Sequence, residues 1–248
     1  MRTPLVAANW KMNGSREAAD AWLREVLPAL SAINSDTLLC APYVYLPQLA
    51  DKLMGTKLML GAQNVSHEKK GAFTGEISAS MLFDIGVRWC IIGHSERRSL
   101  YGETDAIVAQ KALRLTEVGL KPVLCIGETL QERREGHTLD VVLRQLCAVL
   151  DVVGAEALGA IAYEPVWAIG TGQVATPDEA QAVHAAVRAA LGERNSDVAH
   201  RIPVLYGGSV KPENAAAIFA KPDIDGGLLG GAGLLAQDYL AVCRASIL

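Results

Sequence analysis

Polar residues able to move a proton or hold an anion stand directly behind short apolar runs in this chain, and they do so repeatedly. Asn9 and Lys11 follow one run, Gly93, His94 and Glu96 another, and Glu164 a third. Gly207, Gly208 and Ser209 close a fourth, and Gly230 and Gly231 a fifth. A glutamate can take a proton from carbon, a histidine can polarise a carbonyl, and a lysine can hold negative charge. Taken singly, each has a plainer reading. Lys11 reads as a solvated strand-end lysine, His94 as a core imidazole bonded to backbone, and the glycine pairs as turns. They make chemistry together only if the runs that carry them end on one face of one sheet.

Eight short apolar runs are present, at residues 5–8, 38–41, 58–62, 89–92, 122–126, 161–163, 203–206 and 227–229. They are too short and too uniformly apolar for strands with one wet face, and they fit strands buried on both faces of a parallel sheet. Amphipathic segments separate them. Ala18, Ala21, Trp22, Val26 and Leu30 recur at helical spacing, with only Glu25 off the pattern. Thr176-Pro177-Asp178-Glu179 spells a capping box with proline at the first helical position, so a helix begins there. Thr104-Asp105 opens another, which ends near Gly119. The 248 residues divided among eight units leave about 31 each, close to the roughly 30 residues of a βα repeat. The pattern predicts a closed (β/α)8 barrel, a single α/β domain over residues 1–248, with an open doubly wound sheet as the alternative. The open sheet needs a glycine fingerprint after its first strand, and Asn9-Trp10-Lys11-Met12-Asn13-Gly14 is not one. In a barrel the polar strand ends share one mouth. Glycine-rich turns after the seventh and eighth strands expose backbone N–H groups, and with a short helix N-terminus they make a phosphate site. A small phosphorylated substrate is therefore expected.

Charge and composition narrow the partners. Lys and Arg number 23 against 27 Asp and Glu, for a net charge of −4, and 50% of the residues are hydrophobic. With no extended basic stripe, a nucleic-acid partner is not expected. Cys40, Cys90, Cys125, Cys147 and Cys243 are odd in number, widely spaced and mostly set in apolar segments. They predict reduced core thiols rather than a disulfide framework or a zinc site. Glu and His do not recur at ligand spacing, so no metal is expected. The N-terminal MRTPLVAANWKMNG lacks the apolar block of a signal peptide, and no run reaches the length of a membrane span. Both point to a cytoplasmic protein with no membrane partner.

Five segments resemble, in order, the signature segments of the triosephosphate isomerase family. They are Asn9-Trp10-Lys11, Ile92-Gly93-His94-Ser95-Glu96-Arg97-Arg98, AYEPVWAIGTG at residues 162–172, Tyr206-Gly207-Gly208-Ser209-Val210 and Gly230-Gly231-Ala232. The resemblance implies a TIM barrel isomerase of glycolysis and gluconeogenesis. It would interconvert dihydroxyacetone phosphate and D-glyceraldehyde 3-phosphate through an enediolate, without a cofactor. By motif it implies Glu164 as the base and His94 as the electrophile, kept neutral because a helix N-terminus disfavours imidazolium. It also implies Lys11, with Asn9 beside it and Glu96 paired to it, as the cation on substrate and intermediate. Gly170, Ser209, Gly230 and Gly231 would hold the phosphate through their backbone.

In the same reading Pro165, Val166 and Trp167 form a stiff hinge to a lid of Ala168, Ile169, Gly170 and Thr171, with Gly172 supplying freedom at the far hinge. Ile169, opposed by Leu229, would close over Glu164, strip its water and make it a stronger base. Gly71-Ala72-Phe73-Thr74-Gly75-Glu76 is similar to the family's third loop, which implies a homodimer with Phe73 and Thr74 reaching the neighbouring subunit. Two positions depart from the family pattern. Gly233 replaces a usual serine, which removes a helix-capping hydroxyl, and Gly227 replaces a bulkier residue. An aldolase or epimerase barrel, or a non-catalytic phosphate-sensing one, stands as the competing reading. For an aldolase, Lys11 is the only candidate Schiff-base lysine.

Overall fold

Each apolar run becomes a strand whose ends shift from the expected bounds by no more than two residues. The computed structural model describes residues 2–169 and 175–246. The strands are β1 (Leu5–Asn9), β2 (Asp36–Ala41), β3 (Leu58–Ala62), β4 (Trp89–Ile92), β5 (Lys121–Ile126), β6 (Ala160–Tyr163), β7 (Val204–Tyr206) and β8 (Gly226–Leu229). They pair in sequence order, and β8 pairs back onto β1, so the sheet closes into a parallel barrel without an edge.

Alternation along the strands splits the core in two. Leu38, Cys40, Ile91, Val123, Ala162 and Leu205 pack inside the barrel. Val6, Leu39, Ile92, Leu124, Ile161 and Val204 face outward against helices. Both faces of every strand are apolar for that reason, as a parallel sheet covered by helices requires. The five cysteines are free thiols, and all but Cys147 are buried. Burial pushes the Cys90 and Cys125 thiols well above their ordinary pKa.

Twelve helices lie among the described residues. They are α1 (Arg16–Ala29), α2 (Leu46–Leu53), α3 (Ala79–Asp84), α4 (Ser95–Tyr101), α5 (Asp105–Thr116) and α6 (Leu130–Arg134). The rest are α7 (Thr138–Val153), α8 (Pro177–Arg194), α9 (Ser196–Ala199), α10 (Pro212–Phe219), α11 (Gly231–Leu234) and α12 (Ala236–Ala245). The expected starts of α5 and α8 hold. The Thr104 hydroxyl accepts from the Ile107 N–H, and Thr176 and Glu179 close a capping box ahead of Pro177. The buried stripe of α1 is Ala19, Trp22, Leu23 and Val26 rather than the series through Ala18 and Ala21. The three large side chains set which face turns inward, and the alanines carry too little area to override them. No helix among the described residues is long and apolar enough to cross a membrane.

Candidate active site

The strand ends place the polar residues around one mouth. Asn9 is the last residue of β1, His94 lies two residues past β4, and Glu164 directly follows β6. With Lys11, Ser209, Gly230 and Gly231 they line one cavity of about 380 Å³, which Ile169 and Leu228 also border. Glu96 stands at its rim, where its carboxylate takes the Lys11 ammonium at 2.5 Å.

Glu164 is 2% exposed. Its backbone is fixed by the N–H bond to the Ile126 carbonyl at 2.8 Å, and the next strand is tied on by the Gly207 N–H to the Tyr163 carbonyl at 2.7 Å. A Cβ on Gly127 would fall 1.8 Å from the Glu164 carbonyl oxygen, and one on Gly207 would fall 2.9 Å from its Cγ. Glycine on both flanking strands therefore makes the space in which the base sits. One carboxylate oxygen accepts the Ser95 N–H at 2.9 Å, and the other faces His94 Nε2 at 3.0 Å.

His94 is the N-cap of α4, and its Nδ1 accepts the Glu96 N–H at 3.2 Å. That bond leaves Nε2 to carry the proton, aimed at Glu164. Burial alone pushes the imidazole's pKa down, but the charge of Glu164 and its hydrogen bond outweigh it, so His94 is held above its ordinary value. The same pair acts in reverse on Glu164. Burial pushes its carboxyl up, while His94 and the Ser95 N–H pull it further down, to a net value below the usual carboxylate range. While Glu164 rests against it, His94 thus does not show the depressed pKa expected at a helix N-terminus.

The segment that follows β6 is stapled from below. Val166–Ala168 forms a 3-10 turn, and the Trp167 indole donates to Glu128 Oε1 at 2.8 Å. The Tyr163 hydroxyl donates to the same oxygen at 3.1 Å. Glu128 is fully buried, and burial raises its carboxyl pKa despite those bonds. The Arg133 guanidinium lies over the Trp167 ring at 4.3 Å and reaches Glu179 on α8 at 2.5 Å. Gly170, Thr171 and Gly172 lie outside the described residues.

Phe73 and Thr74 are not part of the cavity; both are exposed in the loop after β3. Arg97, inside the fourth strand's motif, turns away from the cavity to pair with Glu103, which the buried Lys111 also reaches. The structure corrects two details and accounts for a third. Leu228, not Leu229, borders the cavity, since the two-residue strand period turns Leu229 outward into the helix layer. Gly233 is not a cap: it lies inside α11, and a Cβ there would sit 3.0 Å from that of Ala8, so the missing side chain relieves packing. At Gly227 the Phe219 ring and the Leu229 side chain occupy the space a bulkier residue would need, at 3.3 and 3.1 Å from a Cβ.

Sequence reasoning missed Ser95, Gly127 and Glu128. Ser95 acts through its backbone N–H, where residue type carries little signal, and Gly127 acts by having no side chain to strike the Glu164 backbone. Glu128 stands just past a strand end, the signal that singled out Glu164 and could have found it.

Comparison with known proteins agrees with the geometry. The family model described as triosephosphate isomerase matches residues 4–246. The triosephosphate isomerase of Nitrosococcus oceani is 53% identical over 249 residues, spanning 99% of this chain and 100% of that protein. That of Thiobacillus denitrificans is 54% identical over 248 residues, 99% of each chain. That of Methylococcus capsulatus is 49% identical over 247 residues, again 99% of each. With the family model and these relatives spanning nearly its whole length, the chain belongs to the triosephosphate isomerase family.

Proposed function

We propose that the cavity at the barrel mouth interconverts dihydroxyacetone phosphate and D-glyceraldehyde 3-phosphate with Glu164, His94 and Lys11 as its reacting groups. Glu164 takes a proton from the carbon beside the carbonyl. The electron pair left behind moves into the carbonyl, giving an enediolate; the hydroxyl proton passes by way of His94 Nε2 to the former carbonyl oxygen, and the proton on Glu164 returns to the former carbonyl carbon, leaving the new carbonyl where the hydroxyl was. His94 Nε2–H donates to the oxygens on which the charge develops, and the Lys11 ammonium holds that charge with Asn9 beside it. Glu96 holds Lys11 at the rim. Backbone N–H groups at Ser209, Gly230 and Gly231, joined by Gly170, take the phosphate.

Glu164 must leave Ser95 and His94 to reach substrate. As it does, both contacts that hold its pKa down are lost while burial remains, and the carboxylate becomes a stronger base. Ile169 and Leu228 supply the apolar surface that keeps water from it. Losing the carboxylate likewise removes the largest of the influences that raise His94, which favours a neutral donor. The protein works as a cytoplasmic homodimer joined through Phe73 and Thr74, without a cofactor.

The observation that carries this reading is the Glu164 carboxylate, buried and 3.0 Å from His94 Nε2, in the cavity that Lys11 and the glycine turns also line. Purified protein is expected to convert glyceraldehyde 3-phosphate to dihydroxyacetone phosphate in an assay coupled to reduction of the product. Folded protein that binds phosphate but gives no product would favour a sensing barrel instead.

A further inference from the structure

Lys11 is the one non-glycine residue among the described residues with a positive φ, at 51°. An L side chain is crowded there by its own backbone, so surrounding bonds must hold the conformation. Both peptide groups of Lys11 are held. Its N–H donates to Asn9 Oδ1 at 3.0 Å, and its carbonyl accepts from Gln63 Nε2 at 2.9 Å. Gln63 stands one residue past β3, and its Nε2 also faces Asn9 Oδ1 and the Cys40 carbonyl, each at 3.2 Å. Three oxygens around one amide nitrogen fix which end of the amide points inward, because the amide oxygen could bond none of them. The side chain thus ties the ends of β1, β2 and β3 at the point where Lys11 turns into the cavity.

We propose that Gln63 is a positioning residue for substrate affinity: its amide clamps Lys11 in the left-handed conformation that aims the ammonium into the anion pocket. Without the amide, the Lys11 carbonyl and Asn9 Oδ1 lose their shared donor. The backbone relaxes to negative φ, and the Cα–Cβ direction of Lys11 turns off the site. The proposal rests on Lys11 being the cation that holds the substrate. It differs from a purely structural tie between strands, which would act the same whatever residue stood at position 11.

Gln63→Met keeps the length of the side chain and removes its donors. The test measures KM for glyceraldehyde 3-phosphate, and the Kd of inorganic phosphate by calorimetry. It is run with Gln63→Met, with Lys11→Ala, and with the two combined. Gln63→Met is expected to raise KM and the phosphate Kd by about tenfold or more. In the Lys11→Ala background the same change is expected to move phosphate Kd by less than about twofold. Equal weakening in both backgrounds, or none in either, would overturn the clamp. If Lys11→Ala alone leaves phosphate binding intact, the reading of Lys11 is what fails. Should Gln63→Met not fold, Gln63→Leu carries the same comparison.

Discussion

His184 shows how far a single buried group governs this protein's response to acid. It is fully buried on α8, with Nδ1 against the Asp223 carbonyl at 3.1 Å and its ring 5.8 Å from that of Tyr163. Burial holds its pKa down to about 4, from an ordinary 6.5. Below pH 6.5 the unfolded chain gains a proton there that the folded chain refuses, so stability is lost as pH falls from 6.5 toward 4. The whole loss amounts to about 3 kcal/mol. Urea unfolding at pH 7 and pH 4 should show His184→Gln losing less over that interval than the natural protein; an equal loss would remove His184 from the cause. At Glu164 the residue type and its place after an apolar run marked a base. Nothing in the letters marked the Ser95 N–H that anchors it, because every residue but proline offers that donor.

At the scale of elements, the strands were legible because each is apolar on both faces, and a run of uniform apolar residues bounded by turns has few other readings. The face that each residue presents was less so. Leu228 and Leu229 differ by one position and belong to different layers, and two adjacent leucines give no alternation to read. The mouth depends on a close approach of β5 and β6 that only a glycine allows, with Gly127 against the backbone of Glu164. Gly127→Ala must push the two strand ends apart, at a cost of about 3 kcal/mol for such overpacking. In a chain of this size that lowers Tm by about 6 to 12 °C. Differential scanning calorimetry checks the shift, and a change within a degree would mean the strands have more room than the geometry shows. Activity should fall further than the loss of folded protein explains, since Glu164 itself is displaced.

For the whole molecule, the closed sheet leaves no strand edge for assembly, so the proposed dimer must draw on exposed apolar side chains. Met12 is 97% exposed, Val44 73% and Phe73 44%, large apolar groups in the connections that follow β1, β2 and β3. An apolar loop tip at Phe73 and an exposed Met12 beside Lys11 make sense if a second copy covers them. Sedimentation should find a dimer, and Phe73→Asp should shift it toward monomer and lower turnover at dilute concentration; a stable, fully active monomer would remove Phe73 and Thr74 from the interface.

The mechanism stands on a proton passing through Glu164. Turnover of glyceraldehyde 3-phosphate by Glu164→Gln, beside the natural protein, tests it most directly, because the amide keeps the shape and loses the base. A fall of about 10³-fold or more in kcat, with phosphate binding largely intact, is the expected result. Turnover within a few-fold of the natural protein would place the base elsewhere and contradict the mechanism.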